Sequence, residues 1–278
     1  MNAASTVAGG VSFLFVPGDR PERFVKATTV GADVVIIDLE DAVAPGRHEA
    51  ALANAIAALH DGAIRALVRV HPIADTRHAI EREALVALGR DAGNGLLGLV
   101  VAKADDSTEI AELRAELSPG LALVPLVETA DGLLSAHALA SVAGVTRLAL
   151  GAVDLSLDLG AEPEPQYLSY ARSHLVVVSR AARVAPPLDS PPVQIADLGA
   201  VEEGARRARG FGFGGSLAIH PAQLPVIHRG FAPSAREIEW AHAVLAAEGG
   251  AAQVDGRLVD RPVTERARGL LVRAEAIR

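Results

Sequence analysis

Short apolar runs rich in valine, isoleucine and leucine recur at Ser12–Val16, Val34–Leu39, Ala66–Val70, Gly98–Ala102, Leu121–Val127 and Arg147–Leu150, with weaker ones at Ala185–Leu188 and Leu217–Ile219. Runs that are apolar at consecutive positions predict strands buried on both faces. Between them lie amphipathic stretches with helical spacing. Pro21 opens one after the Gly18-Asp19 turn, Asp75 or Thr76 caps another ahead of Ile80, Ala84 and Leu85, and Ser107 opens a third before Ile110, Leu113 and Leu117. Strand and helix alternate eight times in this reading. The alternation predicts an α/β fold with a parallel sheet, and eight units closing on themselves make a (β/α)8 TIM barrel. A doubly wound open sheet is the rival, but no G-x-G-x-x-G turn follows the first strand.

Residues 1–230 are expected to form the barrel and residues 231–278 a C-terminal helical extension. The extension reads as Pro233-Ser234, a helix from Ala235 to Glu248, a loop containing Gly249-Gly250, and a basic helix from Thr264. An eight-unit barrel needs no such tail, so it is expected to act as a lid on the barrel or on a neighbouring subunit. Pro186-Pro187 and Pro191-Pro192, on either side of Asp189, predict a rigid loop in the seventh unit.

Composition narrows the function. A chain of 278 residues, 50% hydrophobic, can bury one large core. Cysteine is absent, which excludes a disulfide framework, a thiolate metal site and a cysteine nucleophile. The start shows no basic region followed by an apolar stretch, and no apolar run approaches the roughly 20 residues that span a bilayer. A cytoplasmic location without membrane contact is the expectation. A net charge of −8 with no basic cluster argues against nucleic acid and for a small-molecule partner.

Barrel enzymes carry their chemistry at the carboxyl ends of the strands. Strand two ends in Asp38, Glu40 and Asp41, strand three in Arg69 and His71, strand four in Lys103, strand five in Glu128, strand six in Asp154 and strand eight in His220. Two carboxylates, Glu128 and Asp154, without cysteine or a histidine cluster suit a hard cation completed by water and substrate oxygens, which favours Mg²⁺ over Zn²⁺. Arg69 offers a planar fork for a carboxylate or an enolate oxygen. His71-Pro72 reads as either a substrate contact or a turn, and His220-Pro221 as a loop-shaping pair. No G-x-S-x-G elbow supports a hydrolase triad.

Six ordered motifs resemble a known family: Ser12-Phe-Leu-Phe-Val-Pro-Gly18, Asp38-Leu-Glu-Asp-Ala-Val43, Val68-Arg-Val70, Leu126-Val-Glu-Thr-Ala130, Gly151-Ala-Val-Asp-Leu155 and Ala218-Ile-His-Pro-Ala-Gln223. The chain is similar, from about Ser12 to Pro262, to the citrate-lyase β-subunit-like proteins of the HpcH/HpaI aldolase superfamily, relatives of malyl-CoA and citramalyl-CoA lyases. The resemblance implies a barrel with Mg²⁺ on Glu128 and Asp154, with Arg69 and Glu128 contacting the keto-acid end of the substrate. Glu40 and Asp41 would stand behind as groups orienting metal-bound water and Arg69. A family signature, Gly-x-x-x-Asp-x-Pro, is matched by Gly256 through Pro262 and implies that Asp260 is an acid/base reaching the neighbouring subunit of a homotrimer or dimer of trimers.

The implied reaction is cleavage, or synthesis, of a 3-hydroxyacyl thioester of CoA, giving a keto acid and an acyl thioester. Three readings compete with it: a metal-dependent pyruvate aldolase, a Schiff-base aldolase using Lys103, and a ligand-binding subunit without independent activity. The chain departs from the family pattern at Val11, Ser216, His71 and Val153, where arginine, lysine, asparagine and an acidic residue are usual. Arg47 and His48 stand where Lys and Arg usually follow the second motif.

Overall fold

The computed structural model describes residues 2–162, 166–247, 253–254 and 257–276. Eight parallel strands close into a barrel: β1 (Ser12–Pro17), β2 (Val34–Asp38), β3 (Ala66–Val70), β4 (Leu96–Val101), β5 (Ala122–Val127), β6 (Arg147–Leu150), β7 (Ala185–Asp189) and β8 (Gly215–Ala218). Closure is made where β8 returns to β1, with Ser12, Phe13 and Leu14 opposite Ser216, Leu217 and Ala218. The fold is therefore the expected (β/α)8 TIM barrel.

Side chains alternate across each strand, which explains why both faces of the runs are apolar. Phe13, Ile36, Leu67, Val100, Val124, Leu126, Ala149, Leu188 and Leu217 fill the barrel interior. Leu14, Val35, Ile37, Val68, Leu99, Val101, Leu123 and Leu148 face outward into the helical layer. Gly98, at φ +138°, lies so close to the backbone of Ala122 that a Cβ could not fit, and this lets β4 and β5 approach.

Among the described residues of the barrel region the α-helices are α1 (Ala3–Gly9), α2 (Phe24–Thr29), α3 (His48–Leu59), α4 (Thr76–Leu88), α5 (Ser107–Glu116), α6 (Ala130–Ser141), α7 (Ala152–Leu159), α8 (Ser169–Ala182), α9 (Leu198–Phe211) and α10 (Leu224–Phe231). Asp75 caps α4 as expected, its side chain accepting from the Arg77 N–H. The cap of α5 is Asp106 rather than Ser107, because the carboxylate one residue earlier reaches the Thr108 N–H. α1 had no apolar periodicity to announce it. It closes the amino end of the barrel by placing Val7 among the interior side chains, and Arg147 donates to the Val7 and Gly10 carbonyls at 3.1 and 2.9 Å.

Pro186 and Pro187 lie inside β7, not in a loop. β7 pairs with β6 only at Ala185 and Leu188, so the prolines fall where no ladder N–H is needed, and the Pro186 carbonyl accepts from Arg147 Nε at 2.9 Å.

Beyond the barrel, α11 (Ala235–Ala246) starts at a Ser234–Glu237 capping box. A short antiparallel pair, β9 (Gln253–Val254) and β10 (Arg257–Leu258), leads to α12 (Arg261–Ala276). α12 begins three residues before the expected Thr264, because Asp260 caps it by accepting from the Val263 N–H at 3.2 Å. Glu248, Gly249, Gly250 and Gly256 lie outside the described residues. The α11–α12 hairpin has its own small core of Ala241, Val244 and Ala267. It meets the barrel through Glu237, whose two oxygens each stand 3.0 Å from Arg209 near the end of α9. No described helix is long and apolar enough to cross a membrane.

Candidate active site

The carboxyl ends of β2 to β5 bring a charged cluster together at the barrel mouth. Arg69, near the end of β3, lies over the Phe15 ring with its guanidinium carbon 4.8 Å from the centroid. It grips Asp38 at the end of β2 through Nε at 2.7 Å and Nη2 at 2.6 Å. Asp38 also accepts from the Glu40 and Ala42 N–H groups, at 3.0 and 3.1 Å, so it is fully engaged. Its role is to hold Arg69 in one plane.

Nη1 of Arg69 faces the other acids of this loop, with Glu40 Oε2 at 2.8 Å and Asp41 Oδ2 at 3.5 Å. The Glu40 contact is ionic only: Oε2 is buried and no N–H points at it. Burial works against the charge of Arg69, but the hydrogen bond and charge of Asp38 outweigh it and raise its pKa.

Lys103, just past β4 with φ +46°, ties this group to the next strand. Its Nζ binds Glu40 Oε1 at 2.8 Å, and its backbone N–H donates to Glu128 Oε1 at 2.8 Å. Burial lowers the lysine's pKa, but the hydrogen bond and charge of Glu40 together with the charges of Glu128 and Asp41 outweigh it and raise the pKa. A paired lysine whose pKa is raised is a poor nucleophile, which counts against the Schiff-base alternative.

Glu128 is 1% exposed. Burial, and then the negative charge of Glu40, push its pKa up to about 8. Burial also raises Glu40. Four carboxylates, Asp38, Glu40, Asp41 and Glu128, thus face two cations, Arg69 and Lys103. Acidic groups outnumber basic ones at the mouth, and burial with that crowding is what raises Glu128 and Glu40.

Asp154 is not at a strand end. β6 stops at Leu150, and Asp154 sits half-buried in the first turn of α7. Gly151 connects the two: a Cβ there would collide with the Glu128 carboxylate, so glycine lets α7 start directly beside it. One helical turn then separates Gly151 from Asp154. The β7–α9 segment caps α7 in turn, the Ala152 N–H donating to Ser190 Oγ at 3.0 Å. Among the described residues no three His, Asp or Glu side chains converge to hold a metal by themselves. Glu128 and the first turn of α7 that carries Asp154 lie beside each other across Gly151.

The histidines take structural places. His71 is buried and its Nδ1 lies 2.6 Å from Glu81 Oε1 on α4. His220 Nδ1 accepts from the Ala222 N–H at 3.1 Å and caps the turn after β8. Asp260 is exposed at the start of α12, and none of its described hydrogen bonds reaches the mouth cluster. Three features escaped sequence reasoning: the clamp of Asp38 on Arg69, the capping of α7 by Ser190, and an exposed basic pair, Arg20 and Arg23, on the loop after β1. The first was legible only as an acid at a strand end. The third was visible as two arginines beside the Gly18 turn.

Positions 11 and 216 do not face the mouth. Val11 packs in the outer layer, and Ser216 lines a cavity outside the strands together with Val153.

Comparison with known proteins agrees with this geometry. The chain is 35% identical over 278 residues to a citrate lyase subunit beta-like protein of Mycobacterium tuberculosis, covering 96% of each chain. It is 31% identical over 277 residues to a (3S)-malyl-CoA thioesterase of Cereibacter sphaeroides, covering 96% of this chain and 95% of that one. The crystal structure of CitE from M. tuberculosis in complex with magnesium, acetoacetate and coenzyme A superimposes with a TM-score of 0.84 at 33% identity, covering 96% of this chain and 99% of that one. Since the HpcH/HpaI aldolase/citrate lyase profile matches residues 11–221, the chain belongs to that family.

Proposed function

We propose that the protein is a Mg²⁺-dependent carbon–carbon lyase, or synthase, acting on a 3-hydroxyacyl thioester of CoA. The observation that carries this reading is Glu128: a buried carboxylate at the barrel mouth, excess to its cationic neighbours and adjoining the helix of Asp154. The presence of magnesium, acetoacetate and coenzyme A in the CitE structure supports it.

Glu128 and Asp154 are the residues that would hold the ion, leaving its other positions to water and substrate oxygens. When bound, Mg²⁺ supplies a Lewis acid that stabilises negative charge on the keto-acid oxygens. Asp38 holds Arg69 through Nε and Nη2, so the carboxylate of the keto acid would bind at the Nη1 edge by taking the place of the Glu40 or Asp41 contact there. Glu40, paired with both Arg69 and Lys103, and Asp41, flanking the same arginine nitrogen, would stand behind the ion and orient its water and Arg69. In the cleavage direction the substrate hydroxyl gives up its proton, the adjacent carbon–carbon bond breaks, and the acyl-thioester enolate takes a proton. Asp260 is assigned to that proton transfer. Its hairpin is anchored at the end of α9 that lies at the amino face of its own barrel, so it acts on the mouth of a neighbouring copy in a homo-oligomer. The exposed Arg20 and Arg23, on a loop at the carboxyl face, suit the phosphates of CoA.

The relative named as a malyl-CoA thioesterase favours one second reading, hydrolysis of the thioester. Product analysis with malyl-CoA and citramalyl-CoA separates the two. A lyase releases a keto acid and an acyl-CoA, whereas hydrolysis releases the CoA thiol and a hydroxy diacid. Binding of oxaloacetate and Mg²⁺ with neither product formed would overturn both and leave a ligand-binding subunit.

A further inference from the structure

Outside the strand barrel lies a cavity lined by none of the residues given a role in the proposed reaction. It has a volume of about 240 Å³ and sits between the start of α7, the segment after β7 and the inner side of α9, lined among others by Val153, Arg172, Ser190, Pro191, Arg207 and Ser216. Arg172 comes from α8 with its side chain only 8% exposed. Its Nε donates to both oxygens of Asp189, at 3.1 and 3.3 Å, but Nη1 is buried without any acceptor. Asp189 cannot turn to serve it, because Oδ1 also accepts from the Ser190 N–H at 3.0 Å.

A second donor faces the same space unused. Ser190 Oγ accepts from the Ala152 N–H, and among the described hydrogen bonds its own proton goes nowhere. Ser190 is half-buried, but a fully buried donor without an acceptor, as at Arg172 Nη1, is rare in native proteins and calls for a missing partner. The charged groups lining the cavity are Arg172, Arg207 and Asp189, which leaves one positive charge uncompensated; Arg207 has no ion pair among the described residues. Val153, Pro191, Pro192 and Ile227 supply apolar wall.

We propose that this cavity binds a short-chain carboxylate, its oxygens taking Arg172 Nη1 and the Ser190 hydroxyl and its hydrocarbon part lying against Val153 and Pro191. The site stands apart from the reaction proposed above, since its donors are not those of the mouth. It is nonetheless connected to the mouth, because Ser190 caps the helix whose first turn carries Asp154. Two sources of the ligand are open to the same chemistry: a free acid acting as an effector, or a distal carboxylate of the acyl substrate.

The test is calorimetric titration of acetate and butyrate into the full chain in EDTA, at constant ionic strength made up with chloride. Saturable binding of one anion per chain is expected, with butyrate tighter than acetate. Val153→Glu places a carboxylate in the cavity and should weaken binding at least tenfold. Arg207→Gln, at an exposed position that no packing depends on, should weaken it about threefold. Displacement of butyrate by oxaloacetate with Mg²⁺ would identify the substrate's own carboxylate as the occupant, and independent binding would identify a separate effector. Unsaturable binding, or equal affinity in the wild-type chain and both variants, would overturn the proposal.

Discussion

The two ends of the barrel each bury an arginine, and they treat its charge in opposite ways. Arg147, fully buried at the amino end, meets no carboxylate among the described residues; the carbonyls of Val7, Gly10 and Pro186 accept its N–H groups and the Phe13 ring lies 5.4 Å from the guanidinium carbon. Arg69 at the mouth is surrounded by Asp38, Glu40 and Asp41, with Glu128 close behind. Neutral dipoles satisfy a cation without creating a new charge, so the amino end is sealed and its arginine ties α1 to β6 and β7. Surplus carboxylates do the reverse, since their burial and mutual repulsion are unfavourable to the fold. One end is arranged for the fold and the other at some expense to it.

Exchange experiments should divide along that line. Glu128→Gln removes a proposed ion ligand without changing its shape, and is expected to weaken Mg²⁺ binding by more than about a hundredfold and abolish turnover, with thermal stability unchanged or higher. Calorimetric titration and melting curves on the same sample check both halves. Arg147→Met should show the converse. It orphans three buried carbonyls and is expected to cost about 3–5 kcal/mol, lowering the melting temperature by roughly 6–20 °C, while kcat/KM at 25 °C stays within about twofold.

A smaller, graded effect follows from the raised pKa of Glu128. The folded chain holds that proton more tightly than the unfolded chain does, so its contribution to stability is complete below the ordinary carboxylate range and is lost as pH rises through about 8. Cation binding needs the proton to leave. Mg²⁺ affinity should therefore climb by up to about tenfold per pH unit between pH 6 and 8 and level off above, with close to one proton released per ion at pH 6.5. Titrations in buffers of different ionisation enthalpy measure that release. Smallest is Ser190→Ala, which uncaps α7 and should cost about 1 kcal/mol, seen as a severalfold rise in the Mg²⁺ concentration needed for half-maximal activity; Ser190→Asn should restore part of it. If Ser190→Ala lowered the melting temperature but left the metal requirement untouched, the cap would belong to the fold alone.

Most of the barrel was legible in the sequence because each strand is a local event. β3 and β6 have the bounds that their apolar runs predict, and the caps of α4 and α11 are short-range chemistry written into neighbouring residues. The types of residue at the mouth were legible too, since acids and an arginine following apolar runs mark the carboxyl ends of barrel strands. Which acid serves which neighbour was not. Asp38 and Glu40 are two residues apart, yet the lateral register that sets Asp38 opposite Arg69 makes one the clamp of that arginine and leaves the other with a bare oxygen.

The one-dimensional pattern thus determined the number, order and period of the elements and the chemical character of the mouth, because those depend on burial and on bonds within a few residues. Closure of the barrel decided the rest. It drew the weakly patterned α1 under the strands, placed Asp154 on a helix beginning at Gly151 instead of on a strand, and left Arg172 and Ser190 facing one cavity, all through contacts between segments far apart in the chain.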